Sequence, residues 1–398
     1  MYVASHPTLN ENVRNATLAL AERGVLGEFH TTLDTTAFLR GPLRSISQRR
    51  ALPPEVHVVS HAHPVRELWR LAQRNFPALA KIAPVSVDDV YRALDCAVAQ
   101  RLRASEFAAV LGYEDGCSQS FEVAKASGAH TLYDLPIGHH RAAREILAAE
   151  VDHAPDWACT LQSLTEEIDK TRRKDIELEN ADAVIVASAF TAKTLESIHY
   201  GGHLLVIPYG FPDVQSGMRP QRSGKSNLRA LFVGGLTQRK GLSYLFASLS
   251  ETTGVSLTVV GALPASPPKV LTDSLEKVLY RPYVAHADLM RMMRAHDVLL
   301  LPSLFEGYGL VLSEAMSQGM TIIATEHTAA PDLIAADPLA GFIVPVRDSE
   351  AISHALQMLA DHPDRLHDMQ ARSAAVARTR PWSVYRAEFA STALGLIA

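Results

Sequence analysis

The 398-residue sequence predicts an α/β fold of two Rossmann-like domains facing each other across a cleft. Three observations carry this. The chain is too long for one ordinary hydrophobic core. Short β-branched and aliphatic runs alternate with longer amphipathic segments from end to end, as in parallel sheets covered on both faces. The runs, nine of them after an opening strand, outnumber the roughly six strands of one doubly wound sheet.

Met1 to His6 reads as the first strand, with no leader ahead of it. Further strands are expected over 55–60, 107–111, 129–133, 183–187 and 204–208, then over 228–234, 255–261, 297–302 and 321–325. Helical patterns at 12–23, 88–103 and 168–180 lie between them. The boundary is placed near Pro208-Tyr209-Gly210-Phe211-Pro212. Residues 215–227, rich in Ser, Gly, Arg and Pro, read as a loop. The expected organisation is an N-terminal domain over 1–207, a C-terminal domain over 208–381, and a helix over 382–398, introduced by Pro381, that crosses back onto the N-terminal domain.

Composition narrows the function classes. With 47% hydrophobic and 20% charged residues the chain reads as soluble and globular. The net charge of −5 lies in the first half: residues 1–207 hold 21 Lys+Arg against 26 Asp+Glu, and the remainder 17 of each. Neither half has the basic excess of a nucleic-acid-binding domain. No apolar run reaches the roughly 18–20 residues needed to cross a bilayer. Cys96, Cys117 and Cys159 are isolated and read as reduced thiols. A cytoplasmic protein is expected, with peripheral attachment to the inner face of a membrane left open. The cations Arg66, Arg70 and Arg74 on one helical face raise that second reading.

Chemistry concentrates in two places. The strand ending Leu231-Phe232-Val233 runs into Gly234-Gly235-Leu236-Thr237-Gln238-Arg239-Lys240-Gly241, and a helix with Leu242, Leu245 and Phe246 on one face follows. Glycines there let backbone N–H groups approach a diphosphate, and the helix start adds partial positive charge. Arg239 and Lys240 add full charges. The spacing is neither the dinucleotide G-x-G-x-x-G nor a P-loop. The second place is Pro302-Ser303-Leu304-Phe305-Glu306-Gly307-Tyr308-Gly309-Leu310, followed by Glu314. Glu306 belongs at a strand end, where open α/β sheets bind ligands. Gly307 and Gly309 permit a turn whose amides face an anion, and Glu314 is expected in the first helical turn. Two carboxylates suit polyhydroxylated groups, since each accepts several O–H bonds.

On these residues the chain resembles glycosyltransferase family 4. Glu306 and Glu314 match its E-x7-E motif, Val233–Gly241 its V-G-x-L…K-G segment, and Pro302–Leu310 its P-S-x-x-E-G-x-G-L segment. The resemblance implies the GT-B fold and transfer of a sugar, with retained anomeric configuration, from a nucleotide diphosphate sugar to an acceptor hydroxyl of a carbohydrate, glycolipid or small molecule. It places Glu306 against the transferred sugar, Glu314 on the ribose, and Lys240 on the diphosphate. The amides around Gly309 and Leu310 support the departing phosphates, and Tyr283 and Val284 cradle the base. Gly234, Gly235, Gly261, Gly307 and Tyr308 complete the donor side. No cofactor or metal is implied beyond the sugar nucleotide itself, because fixed cations replace a metal.

Two departures stand out. Many members carry Arg where this chain has Gly235, and Arg239 is expected to supply that charge. Many also carry a His after the strand that corresponds to 107–111. Here Tyr113, Glu114 and Asp115 stand in that turn, any of them able to face the reacting centre; Glu114 is taken as the catalytic candidate. Asn10 and Asn12, after the first strand, either contact sugar hydroxyls or cap the next helix. His139 is placed on the acceptor side. His61-x-His63 lacks the companion ligands of a metal site. A nucleotide-sugar epimerase, a phosphorylase, and a non-catalytic sugar-nucleotide-binding relative are the alternatives on the same fold.

Overall fold

The computed structural model describes residues 1–36, 50–214 and 227–398. Most of the expected 215–227 loop lies outside them. Two parallel sheets form, as the strand–helix alternation requires. The first holds β1 (Tyr2–Ser5), β2 (Leu26–Thr31), β3 (Ser60–Ala62), β4 (Ala109–Tyr113), β5 (His130–Leu135), β6 (Ala183–Val186) and β7 (His203–Val206), in the order β3-β2-β1-β4-β5-β6-β7. The second holds β8 (Leu228–Val233), β9 (Val255–Val260), β10 (Leu279–Arg281), β11 (Val298–Leu301), β12 (Thr321–Thr325) and β13 (Gly341–Val344), in the order β10-β9-β8-β11-β12-β13. Strand order reverses between β1 and β4 and between β8 and β11. The crevices beyond those strand ends are where such sheets take ligands.

Four elements depart from the sequence reading. Of the expected strand 55–60 only Ser60 is in one: Pro53-Pro54 fixes φ for a helix start, and a helical turn, Pro54–His57, precedes β3. The strands β2 and β10 escaped detection because their residues mix polar with apolar, as in Leu26-Gly27-Glu28-Phe29-His30-Thr31, and β13 because Gly341–Val344 is only four residues long. By contrast β1, β4, β6, β11 and β12 are buried throughout and read as continuous apolar runs.

The chain passes between the domains twice, side by side. Phe211 bridges Pro381, and Phe211 N–H donates to Arg380 O at 2.9 Å. The Arg380 guanidinium donates to Pro208 O at 2.7 and 3.1 Å. Gly210 is required here, since a Cβ would lie 2.4 Å from Trp382 Cα. After the second passage the helix Trp382–Leu396 packs on the N-terminal domain. It buries Tyr385, Phe389 and Ala393, and Tyr2 Oη donates to Ala393 O at 2.6 Å. Arg386 reaches Glu22 and Asn15 on the helix Glu11–Glu22.

Candidate functional site

The two glycine-bearing motifs are built into one another. Gly234 leaves β8 at φ 156°, and Gly261 closes on it so tightly that a Cβ would lie 1.8 Å from Gly234 O. The short 3-10 turn Gln238–Lys240 follows. Gly241, at φ 70°, then lets the helix Leu242–Ser250 start against the end of β11, where a Cβ would meet Pro302 O at 1.9 Å. Arg239 O accepts Leu304 N–H at 2.8 Å, and Arg239 Nη1 donates to Phe305 O at 2.8 Å. Sequence-distant residues thereby meet: Lys240 is ion-paired with Glu306, and Arg239 Nη1 stands 3.5 Å from the same carboxylate. Burial and the Arg239 charge press Lys240 toward its neutral form, and the Glu306 carboxylate in contact opposes them.

Gly309 turns the chain at φ 81° into the helix Leu310–Ser317. Glu314 is its fifth residue, so it sits in the second turn rather than the first. Its pKa is raised to about 7 by burial and by the neighbouring Glu11 charge. Glu11 begins the first helix of the N-terminal domain, so that domain's first turn approaches the helix that carries Glu314. The His286 ring lies 3.8 Å from Glu314. One further expectation needs correction. Tyr308 is buried and donates to Tyr209 O at 3.1 Å, which ties it to the interdomain passage rather than to a ligand. Tyr283, beyond β10, lies on the surface with 65% of its area exposed, and Val284 is half-buried.

Gly307 joins the domains. Its carbonyl accepts from Ser188 Oγ at 2.5 Å and from Thr191 Oγ1 at 3.1 Å. A Cβ there would lie 1.9 Å from Pro136 O. The loop after β5 therefore rests directly on the turn that carries Glu306.

The N-terminal wall is a charge network. Glu114 is partly buried, its carboxyl is pushed up to about 7 by desolvation, and it lies 3.4 Å from Lys174 Nζ. Lys174 also meets Glu166 at 3.3 Å. Asp115, at φ 73°, pairs with Lys170 at 3.2 Å, and its N–H donates to Glu177 at 2.9 Å. Sequence reasoning missed Lys170, Lys174 and Glu166. The i, i+4 spacing of the two lysines was visible, but nothing local tied them to the turn after β4. Tyr113 is buried edge-on to the His6 ring, 5.1 Å away, and sits beside Asp134 in the β4–β5 register.

The remaining acceptor-side candidates have structural partners. Asn10 caps the helix Glu11–Glu22, its Oδ1 accepting Val13 N–H at 3.3 Å. Asn12 is buried. His139 caps the helix His140–His153: its Nδ1 accepts Arg141 N–H at 3.3 Å, leaving the ring proton on Nε2. His139, His140 and Asp175 stand close enough to hold a metal ion. Asp175, however, already accepts from His140 and Arg141 at 2.8 Å each, and the protonated Nε2 of His139 is no ligand. His63 Nε2 meets His30 Nδ1 at 2.9 Å, and Glu28 holds His30 and Arg101, so these rings serve a hydrogen-bond cluster at the sheet edge.

A cleft of about 750 Å³ separates the two walls. It is lined by Asp88, Asp89, Arg92, Glu166 and Lys170 on one side and by Gly235, Thr237 and Arg239 on the other. Among the sequence-derived candidates Gly235 and Arg239 line it, and Lys240 and Glu306 are not among its lining residues. No Cβ contact within 4 Å restricts Gly235, so the place that many family 4 members fill with Arg is open. On the outer face, Arg70 is paired with Glu67, which removes one cation from the expected stripe. Val65, Leu68, Phe76 and Ile82 are exposed in the same region. Among the described residues no helix is long and apolar enough to cross a membrane.

Residues 227–362 match the family described as glycosyl transferases group 1. D-inositol 3-phosphate glycosyltransferase of Streptomyces griseus is 34% identical over 105 residues, 26% of this chain and 22% of that protein. An uncharacterized 41.2 kDa protein of the cps region of Klebsiella pneumoniae is 32% identical over 130 residues, 32% of this chain. The match spans only 36% of that relative's length. The full fold is similar to sucrose-phosphate synthase of Thermosynechococcus elongatus, with a TM-score of 0.65 and 17% identity over 99% of this chain and 98% of that one.

Proposed function

We propose that the chain, whose residues 227–362 match the group 1 glycosyl transferases and whose fold is similar to that of a sucrose-phosphate synthase, moves a hexose from a nucleotide diphosphate sugar to an acceptor hydroxyl, with retention and without a metal ion. The observation that carries this reading is the pairing of Arg239 and Lys240 with Glu306, Arg239 itself lining the cleft. In the absence of donor, Glu306 balances the two cations. When a donor enters, its diphosphate takes over Lys240 and Arg239, and Glu306 is released to face the sugar. As the bond from the anomeric carbon to the diphosphate breaks, negative charge grows on the leaving oxygen beside those cations, and they stabilise it more than they stabilise the ground state. The acceptor hydroxyl arrives on the same face from the N-terminal wall, where Glu114 stands. Closure around the donor keeps water out, so transfer outruns hydrolysis.

Donor sugar, base and acceptor class are tested together. Calorimetric titration with UDP, GDP and ADP identifies the base. Incubation with the matching sugar nucleotide and a panel of sugar, glycolipid and small-molecule acceptors, followed by proton NMR of the anomeric signal, reads the stereochemistry. Isomerised donor in the absence of acceptor identifies an epimerase, and phosphate-dependent breakdown a phosphorylase. Binding without turnover identifies a non-catalytic relative. Activity lost with EDTA and restored by Mg²⁺ or Mn²⁺ overturns the metal-free mechanism. Peripheral contact with a membrane rests on the exposed Val65, Leu68, Phe76 and Ile82, and co-sedimentation with anionic vesicles checks it.

A further inference from the structure

Behind the cationic turn lies a second polar centre that the donor chemistry does not use. Glu150, on the N-terminal domain's helix His140–His153, has no exposed surface. Its side-chain partners come from the other domain: Gln238 Nε2 at 2.7 Å, Tyr244 Oη at 2.9 and 3.2 Å, and Arg347 Nε at 2.7 Å. Arg347 also donates to Ile146 O at 2.8 Å, and it does so from a left-handed backbone, φ 64°, that a non-glycine residue keeps only when its surroundings enforce it. Gln238 is equally buried and is held a second time from across the interface, where its N–H donates to Thr160 Oγ1 at 2.8 Å. Within its own domain it receives Ser243 N–H at 3.0 Å.

Gln238 is the first residue of the turn whose next two residues are Arg239 and Lys240. The position of those cations is therefore set in part from the opposite domain. A carboxylate with this burial is tolerable only while its donors surround it. Separating the domains would return Glu150 to water and take from the turn both of its cross-domain anchors. We propose that Glu150 is a positioning residue: together with Thr160 it holds Gln238, and so aims Arg239 and Lys240 at the diphosphate only when the domains are closed. This rests on the donor-site reading given above for what the cations do, but not for how they are held.

The test uses Glu150→Gln, which keeps the shape and removes the charge, and Arg347→Ala, which removes a partner from the other side. Hydrogen exchange on the ligand-free chain reads the turn without reference to any activity. Both variants should speed exchange at residues 237–241 about tenfold. In transfer assays with the identified donor, kcat should fall about 10- to 100-fold while the KM for acceptor stays within about twofold, since a shift of roughly 1 Å at a reacting centre costs about that much. Exchange at 237–241 unchanged in both variants overturns the proposal, whatever happens to turnover. Faster exchange with unchanged kcat in an active enzyme overturns the aiming role. If the wild-type chain binds no sugar nucleotide, the function fails, and the exchange experiment still decides whether Glu150 holds the turn.

Discussion

Raising the pH from 6 to 8 should tighten donor binding about tenfold, and the effect should belong to Glu314. Burial and the Glu11 charge lift its carboxyl to about 7. With that midpoint the ionised fraction climbs from about 0.1 at pH 6 to about 0.9 at pH 8. A carboxylate accepts hydrogen bonds from both ribose hydroxyls at once, whereas the protonated acid must spend one oxygen as a donor. If the donor binds the ionised form, affinity follows that fraction and levels off above about pH 8. Binding then releases about 0.9 proton at pH 6 and about 0.1 at pH 8. Titration calorimetry in two buffers of different ionisation enthalpy measures both quantities. The ligand should be the intact sugar nucleotide, whose diphosphate does not titrate in this range. Glu314→Gln should abolish the dependence, raise the donor KM, and leave kcat within a few-fold. Glu11→Gln should keep the dependence and move its midpoint down, because one of the two causes is gone. A flat affinity profile without proton release refutes the ribose assignment; the same slope surviving in Glu314→Gln assigns it to another group.

Three further outcomes follow from the geometry. Lys240→Ala should lower kcat by about 100-fold or more, the effect of losing one charge-stabilising contact of about 2.7–4 kcal/mol in the transition state; it should also lower the Tm, because Glu306 loses its closest cation, and Glu306→Gln in the same chain should return part of that stability. Gly307→Ala would set a Cβ 1.9 Å from Pro136 O, so urea unfolding should show a loss of about 1–3 kcal/mol and kcat/KM should fall about 100-fold as the Glu306 turn is displaced. Asp134 is buried with neither oxygen bonded to the protein, and burial lifts it to about 7. Between about pH 4 and 7 the unfolded chain gives up this proton while the folded chain keeps it, so the group lowers stability as pH rises, by on the order of 4 kcal/mol in all. Asp134→Asn should remove that decline in a pH series of thermal melts, and equal slopes for the two proteins would count against it.

What the sequence disclosed follows from how local the signals are. The segments Val233–Gly241 and Pro302–Leu310 put glycine, charge and strand end within a few residues of one another, and they are where the structure brings Arg239, Lys240 and Glu306 together. Glu314 was legible as a partner, although its helix starts earlier than expected, directly after the turn at Gly309. The opposite wall was not legible. Glu114 meets Lys174 sixty residues on, and Glu150 meets Arg347 across nearly two hundred, so neither pair leaves a spacing to read. Tyr308 misled for a related reason: inside the motif it looks like a ligand contact, yet its hydroxyl turns toward Tyr209. Edge strands such as β3 and β10, three residues each, have too few apolar positions to show a period.

The bridge between Phe211 and Pro381 makes the second sheet, topologically, an insert within the first domain. The chain leaves and re-enters through one narrow doorway, and the helix beyond it completes the surface of the domain it left. The second sheet with its helices can therefore be exchanged as a cassette, cut at two neighbouring points, without reordering any strand of the first sheet. The doorway must keep its Gly210, where Trp382 leaves no room for a side chain. A graft that respects that one residue inherits the seam between the halves; its success then depends on the opposing faces that the new cassette presents to Glu150 and Pro136.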